Sequence, residues 1–344
     1  MIIGVDSFLD NDIPLIDVRS PSEYIQGHIP GAVSLPLFTD DERCQVGTTY
    51  KQIGAKEAFQ MGLDFVGPKM SYFVSKGEKL SCNNKVNIYC WRGGKRSQSI
   101  GWLLQQAGLH VNVLQGGYKS YRQQAMQQLS EPAKIIVIGG GTGSGKTEIL
   151  KQLQHLGEQV LDLEGLANHR GSAFGGIGQQ NQPSNEQFFN KIWEKWRSFD
   201  HTQTIWIENE SLCIGRVTVP EPLLAQMKEA PLLVLSAPLK MRVQYLIDLY
   251  GGQPKDKVEL AIHKIRKKLG LRDTKQMLSD LNKGDLVAVV NRLLKYYDKS
   301  YQHCLSRTDP TRIQSVIPSQ SVFAWDGWVK HMATSLMEFH YKSG

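Results

Sequence analysis

KVNIYCWRGGKRSQS, Lys85 to Ser99, is the stretch whose reading decides the fold. Val86 to Tyr89 is an apolar run that reads as a buried strand, and it stops at Cys90. Gly93 and Gly94 follow among Arg92, Lys95 and Arg96, and the spacing predicts an amphipathic helix opening at Ser97. A strand–loop–helix of this kind sets the cysteine at the strand's C-terminal end, where α/β sheets place their sites. Loop amides and a helix N-terminus favour an anion over the sulfur. Nearby cations favour the thiolate, the nucleophilic form. A structural cysteine is a small hydrophobe and needs neither the cations nor the glycine pair.

Working outward, 344 residues exceed one ordinary core and suggest two domains. Composition, 41% hydrophobic and 21% charged, is that of a globular protein. No apolar run approaches the ~18 residues needed to span a bilayer. The start, MIIGVDSFLDNDIP, lacks the basic and apolar regions of a signal peptide. Cys44, Cys82, Cys90, Cys213 and Cys304 form no CxxC pair. That excludes a disulfide scaffold or structural zinc site and fits a reducing, cytoplasmic setting without membrane attachment. The net charge of +7 is uneven, since Lys255 to Arg272 alone holds seven basic and two acidic residues. Lys264, Arg266, Lys267, Lys268 and Arg272 are therefore candidate contacts to a polyanion. A solvated helix face is the bland alternative.

The first domain is expected over residues 1–128. PLIDVRS (Pro14 to Ser20) is a short strand ending in Asp17-Val18-Arg19. A capped helical turn, a Gly-His-Ile-Pro-Gly turn and a strand near Ala32 to Leu35 follow. Residues 40–80 form a long connection with helix around Lys56 to Phe65, and HVNVL then leads to Gly116-Gly117-Tyr118. Strands alternating with helices mean a mainly parallel α/β sheet. DVRSPSEYIQGHIPGA, the Cys90 loop and VLQGGY resemble, in order, the rhodanese domain. The resemblance implies a chalcogen carried on Cys90, with Arg92, Gly93, Gly94, Lys95 and Arg96 around the donor. The Cys-x5-Arg spacing is longer than the six-residue loop of many sulfurtransferases and is shared with rhodanese-like phosphatases. Arg19 is expected to pair with Asp17 or Glu23.

The second domain is expected over residues 133–344, after Glu131-Pro132. KIIVIGGGTGSGKTEILKQL is strand, glycine-rich loop and helix. Gly140, Gly141, Thr142, Gly143, Ser144, Gly145, Lys146 and Thr147 fit the Walker A pattern in its proper context. Loop amides would wrap a phosphate chain, Lys146 would reach its terminal phosphates and Thr147 would ligate Mg²⁺. The motif identifies a phosphate chain and not a nucleoside. Asp162, His169 and Arg170 are candidate metal or phosphate contacts, as is Glu208 at the end of the strand IWIE. Arg242, after the strand LLVL, is a candidate phosphate neutraliser. Beyond residue 255 the chain reads as helical, a P-loop NTPase-like α/β domain with a helical C-terminal part. Tyr296, Tyr297 and Tyr301 read as core or interface.

With DLEGLANHRGSAFG, QPSNEQFFN and IENES added, the whole chain resembles the bacterial tRNA 2-selenouridine synthases. That resemblance implies two steps on 2-thiouridine at position 34 of the tRNAs for Lys, Glu and Gln. Geranyl diphosphate first alkylates the thione sulfur. Selenium from selenophosphate, taken by Cys90 as an S-selanyl adduct, then displaces geranyl thiol. The implied partners are the tRNA anticodon loop and an enzyme supplying selenophosphate, with Mg²⁺ as cofactor and no structural metal. Oligomeric state stays open. The competing classes are a rhodanese-like phosphatase or arsenate reductase fused to a P-loop kinase, and a regulatory module that binds nucleotide and RNA.

Overall fold

The computed structural model describes residues 1–10, 12–316 and 324–343. They divide into two units, Met1–Ser130 with Phe189–Glu194, and Glu131–Phe188 with Lys195–Gly344. A division into contiguous halves at residues 128–133 therefore misses one segment. Within the first unit, the Trp193 indole donates to Gln128 at 2.9 Å and Asn190 donates to the Tyr118 hydroxyl at 2.6 Å.

The first unit is a parallel sheet in the order Ile2–Ile3, His110–Leu114, Lys85–Tyr89, Leu15–Asp17, Val33–Ser34. Its central strand, Lys85–Tyr89, is buried from Val86 onward, as a strand covered on both faces must be. Ser20 and Glu23 form a reciprocal capping box that starts the helix Pro21–Gln26. The long connection holds three helices, Asp40–Gln52, Ala55–Val66 and Met70–Leu80. The helix after Cys90 runs Lys95–Gln106, two residues earlier than its amphipathic pattern suggests. Gly94 takes the N-cap position, so Lys95 and Arg96 lie in the first turn.

The second unit has a parallel sheet in the order Ile313–Val316, Leu232–Leu235, Ile135–Gly140, Ile205–Glu208, Gln159–Leu161. The Walker strand Ile135–Gly140 is central and wholly buried. Helix Lys146–His155 covers one face, and Ile149, Leu150 and Leu153 pack with Trp328, Met332 and Leu336 of helix Trp325–Ser343. Helices Lys255–Leu269, Leu271–Asn282 and Leu286–Leu305 form a separate apolar cluster around Ile262, Met277 and Leu293. The expectation of an all-helical tail fails at Ile313–Val316, which pairs in parallel with Leu232–Leu235 and closes one sheet edge. The short IQSV run after a 20-residue helix carries little periodicity of its own. The neighbouring strand supplies the reason to extend.

Among the described residues, no helix is long and apolar enough to cross a membrane.

Candidate functional site

Each sheet ends in a loop built for an anion. In the first unit Cys90 follows the central strand and is 3% exposed. Its Sγ lies 3.2 Å from Ser97 Oγ and 3.9 Å from the Gly94 carbonyl, both at the start of the next helix. The loop rests on main chain: Tyr118 N donates to Cys90 O at 2.8 Å and Lys119 N to Trp91 O at 3.0 Å. Gly117 has φ +65°, and a Cβ there would collide with Cys90 O and Gly93 N. Gly93, at φ +63°, would likewise meet Leu114 O. Only glycine fits either place.

The loop cations do not all turn toward the sulfur. Arg96 donates to Glu23 at 2.6 Å and 3.2 Å. Burial works against the Glu23 charge, but Arg96 outweighs it and holds the carboxyl below its ordinary range. Lys95 Nζ stands 4.9 Å from the Phe59 ring centroid, while Arg92 is exposed. Of the two partners expected for Arg19, the structure selects Asp17. Both side chains are fully buried, with Nη2–Oδ2 at 2.7 Å and Nε donating at 3.0 Å. Arg19 also donates to Gly27 O, and its guanidinium lies 3.9 Å from the Tyr118 ring centroid.

In the second unit the loop Gly140 to Thr147 opens on a cavity of about 480 Å³. Gly143 and Gly145 both take φ +75°, which turns the loop back on itself. Lys146 Nζ donates to Gly140 O at 3.3 Å, so the lysine lies across its own loop. Thr147 Oγ1 donates to Glu164 at 3.1 Å. Arg242 braces the loop from outside, donating to Thr142 O at 2.9 Å and pairing with Asp298 at 2.5 Å. Its charge is therefore matched by a carboxylate, which departs from the expected role of phosphate neutraliser.

The carboxylates sort differently from the expectation. Asp162 caps helix Leu163–Ala167, accepting from Gly165 N at 2.7 Å, and does not line the cavity. Glu208 is 1% exposed, accepts from Glu164 N at 2.6 Å and leaves Oε2 without a hydrogen-bond partner among the described residues. Burial, and then the charges of Asp162 and Glu164, push its carboxyl well above the ordinary range. The carboxylates that line the cavity are Glu148, Glu164 and Glu210. Burial and then Glu164 push Glu210 up to about 8, against the pull of Lys146. Glu210 lies two residues beyond Glu208, past the strand's end, and it is the loop after the strand that brings it to the cavity. Glu164 lies in the DLEGLANHRG segment between Asp162 and His169, and only the fold sets it apart from them.

Arg170 lines the P-loop cavity, but His169 lines a second one of about 770 Å³ with Arg216, Lys257 and Lys264. Burial, then Lys264, lowers the His169 pKa. Tyr297 and Tyr301 also face the P-loop cavity, beyond the packing role expected of them. With Tyr245, Leu246, Leu249 and Tyr250 they give it a wall that is largely hydrocarbon and ring. Lys264, Arg266, Lys267 and Lys268 of helix Lys255–Leu269 and Arg272 of the next helix are all exposed, while Val258, Ile262 and Ile265 are buried. Among the described residues no three His, Cys, Asp or Glu side chains converge as a metal cage. Mg²⁺ needs only one or two protein oxygens beside a phosphate chain, and Thr147 with Glu164 meets that requirement.

Residues 133–331 match the family model described as the tRNA 2-selenouridine synthase AAA domain, and residues 6–124 match the rhodanese-like domain. A tRNA 2-selenouridine synthase of Sulfurovum sp. is 37% identical over 287 residues, covering 80% of this chain and 77% of the relative. That of Psychromonas ingrahamii is 33% identical, covering 91% and 93%. That of Salmonella enteritidis is 36% identical, covering 86% and 90%.

Proposed function

Because the chain belongs to the tRNA 2-selenouridine synthase family, we propose that it converts 2-thiouridine at position 34 of the tRNAs for Lys, Glu and Gln to 2-selenouridine in two steps. In the first, the thione sulfur attacks C1 of geranyl diphosphate. The C–O bond breaks, and diphosphate leaves with the bonding pair. In the second, selenium from selenophosphate bonds to C2 as the C2–S bond breaks. Sulfur leaves as geranyl thiol with a proton, and water takes the phosphoryl group.

The observation that carries this reading is the mixed lining of the cavity over the P-loop. Loop amides, Lys146 and Thr147 share it with Tyr245, Leu246, Leu249 and Tyr250. A prenyl diphosphate has the same two characters, an anionic head and an apolar chain. Donors fixed where charge develops on the leaving diphosphate lower the barrier most. Mg²⁺ would be held by Thr147 and Glu164 and would neutralise charge on the diphosphate. The Cys90 loop then handles the selenium. The ion pair between Arg96 and Glu23 favours a transferase over a phosphatase, which needs that arginine on its phosphate. The exposed cations of 264–272 suit tRNA phosphates, and an anticodon-loop base is single-stranded and accessible.

Nucleoside mass spectrometry after incubating the chain with thiolated tRNA, geranyl diphosphate and selenophosphate tests the reading, each component being omitted in turn. S-geranyl-2-thiouridine should accumulate without selenophosphate, and no selenouridine should form without geranyl diphosphate. Selenouridine formed in the absence of geranyl diphosphate overturns the two-step scheme. Turnover of phosphate monoesters or arsenate without tRNA would favour the phosphatase class.

A further inference from the structure

Helix Ala55–Val66 carries an unbroken stripe at helical spacing, Ala55, Ala58, Phe59, Gly62, Leu63 and Val66. Such a stripe is normally buried. Here Phe59 is 48% and Leu63 49% exposed. Beneath them lies a cavity of about 170 Å³, floored by Leu37 and Phe38. Small residues make the space, since a Cβ at Gly62 would stand 3.4 Å from the Phe38 ring. Exposed apolar side chains around an apolar cavity mark a binding surface.

Its position limits the occupant. Leu37, Phe38 and Cys90 belong to one apolar cluster. The rest of the wall is Val46 and Tyr50 of helix Asp40–Gln52, and Lys95, Arg96 and Ser99 of the helix whose Ser97 touches the Cys90 sulfur. Whatever enters therefore has an apolar end among Leu37, Phe38 and Val66, cations at its neck, and its other end beside the Cys90 loop. A cavity of ~150 Å³ with such a lining holds a benzene ring, so this one takes a short chain and no membrane lipid.

We propose that this cavity holds the isoprenoid chain of the S-geranylated base while its C2–S bond is exchanged beside Cys90. This rests on the two-step reading above. The distal isoprene unit fills the space under Phe59 and Leu63, and the proximal unit lies in the mouth beside Lys95. The RNA phosphates meet Lys95 and Arg92. Holding the chain orients C2 toward the incoming selenium and keeps the departing thiol next to the loop.

The test uses the full chain and anticodon stem-loop RNAs bearing S-geranyl, S-dimethylallyl or S-methyl 2-thiouridine, with selenophosphate. Selenouridine formation is followed by mass spectrometry. In the wild type, kcat/KM should fall by roughly tenfold or more for each isoprene unit removed. Gly62→Leu, which fills the cavity, and Phe59→Ala, a surface change that does not threaten folding, should both flatten that preference. The S-methyl rate should stay the same in both. An unchanged geranyl-to-methyl ratio in the two variants overturns the cavity assignment alone. A wild type that selenates none of the three RNAs overturns the two-step reading and this inference with it.

Discussion

Replacing Arg19 with methionine removes a charge while keeping most of the side chain's length. Asp17 and Arg19 are both fully buried and are joined at 2.7 Å and 3.0 Å. Burial opposes the guanidinium charge, but Asp17 more than restores it and holds Arg19 above its ordinary pKa. Arg19→Met leaves the Asp17 carboxylate buried with its amide bond from residue 19, at 2.9 Å, and no cation. Breaking a buried pair from one side costs about 3–5 kcal/mol, and loss of the stack on Tyr118 adds up to ~2 kcal/mol. A domain's whole stability is about 5–15 kcal/mol, so the first unit should become marginal. Hydrogen-exchange mass spectrometry on peptides spanning Lys85–Tyr89 reads that unit's stability separately from the P-loop unit. The double change Asp17→Leu with Arg19→Met should recover much of the loss, since an apolar pair leaves no stranded charge. A loss below ~1 kcal/mol in Arg19→Met, or a double variant as unstable as the sum of its singles, would refute the reasoning.

Cys90→Ser should abolish selenation and spare geranylation; full selenation by that variant removes the cysteine from the chemistry. Lys146→Ala should lower S-geranyl product by at least tenfold in nucleoside mass spectrometry, and an unchanged yield reassigns the P-loop. Changing Lys264, Arg266, Lys267 and Lys268 to glutamine should weaken tRNA binding and reduce its salt slope by ~0.7–0.9 for each phosphate no longer neutralised; an equal slope makes the stretch a solvated face. Glu210 sits at about 8 in the fold against ~4.3 unfolded. Its stabilisation is therefore complete below the unfolded value and is lost as pH rises through 8. Glu210→Gln should lose less stability than the wild type between pH 5 and pH 9 in melting curves, and parallel curves would disprove the raised carboxyl.

The two anion loops were legible because each is a local strand–turn–helix whose residues lie within one short window. Partners contributed from elsewhere were not. Arg96 reads as a loop cation until Glu23, 73 residues away in sequence, claims it. Asp162 reads as a ligand until Gly165 N makes it a cap. Glu164 reads as one acid among several in DLEGLANHRG until the fold sets it against Thr147. Ile313–Val316 extends because Leu232–Leu235 presents an open edge, which no property of IQSV announces. Helix is expected around Lys56 to Phe65, but that Phe59 and Leu63 stay uncovered is a tertiary fact.

The glycine floor under Cys90 also bears on how such loops diversify. Gly117 presses against Cys90 O and the main chain of Gly93, and Gly93 against Leu114 O and the main chain of Gly117. The aperture of the ring is thus set by backbone alone. A point substitution at the floor has nothing to trim or enlarge, and a bulkier residue there closes the ring by collision. The parameter left open to drift is the number of residues in the rim. A lineage that needs a wider ring must insert a residue, so donor size in these domains should change in whole-residue steps.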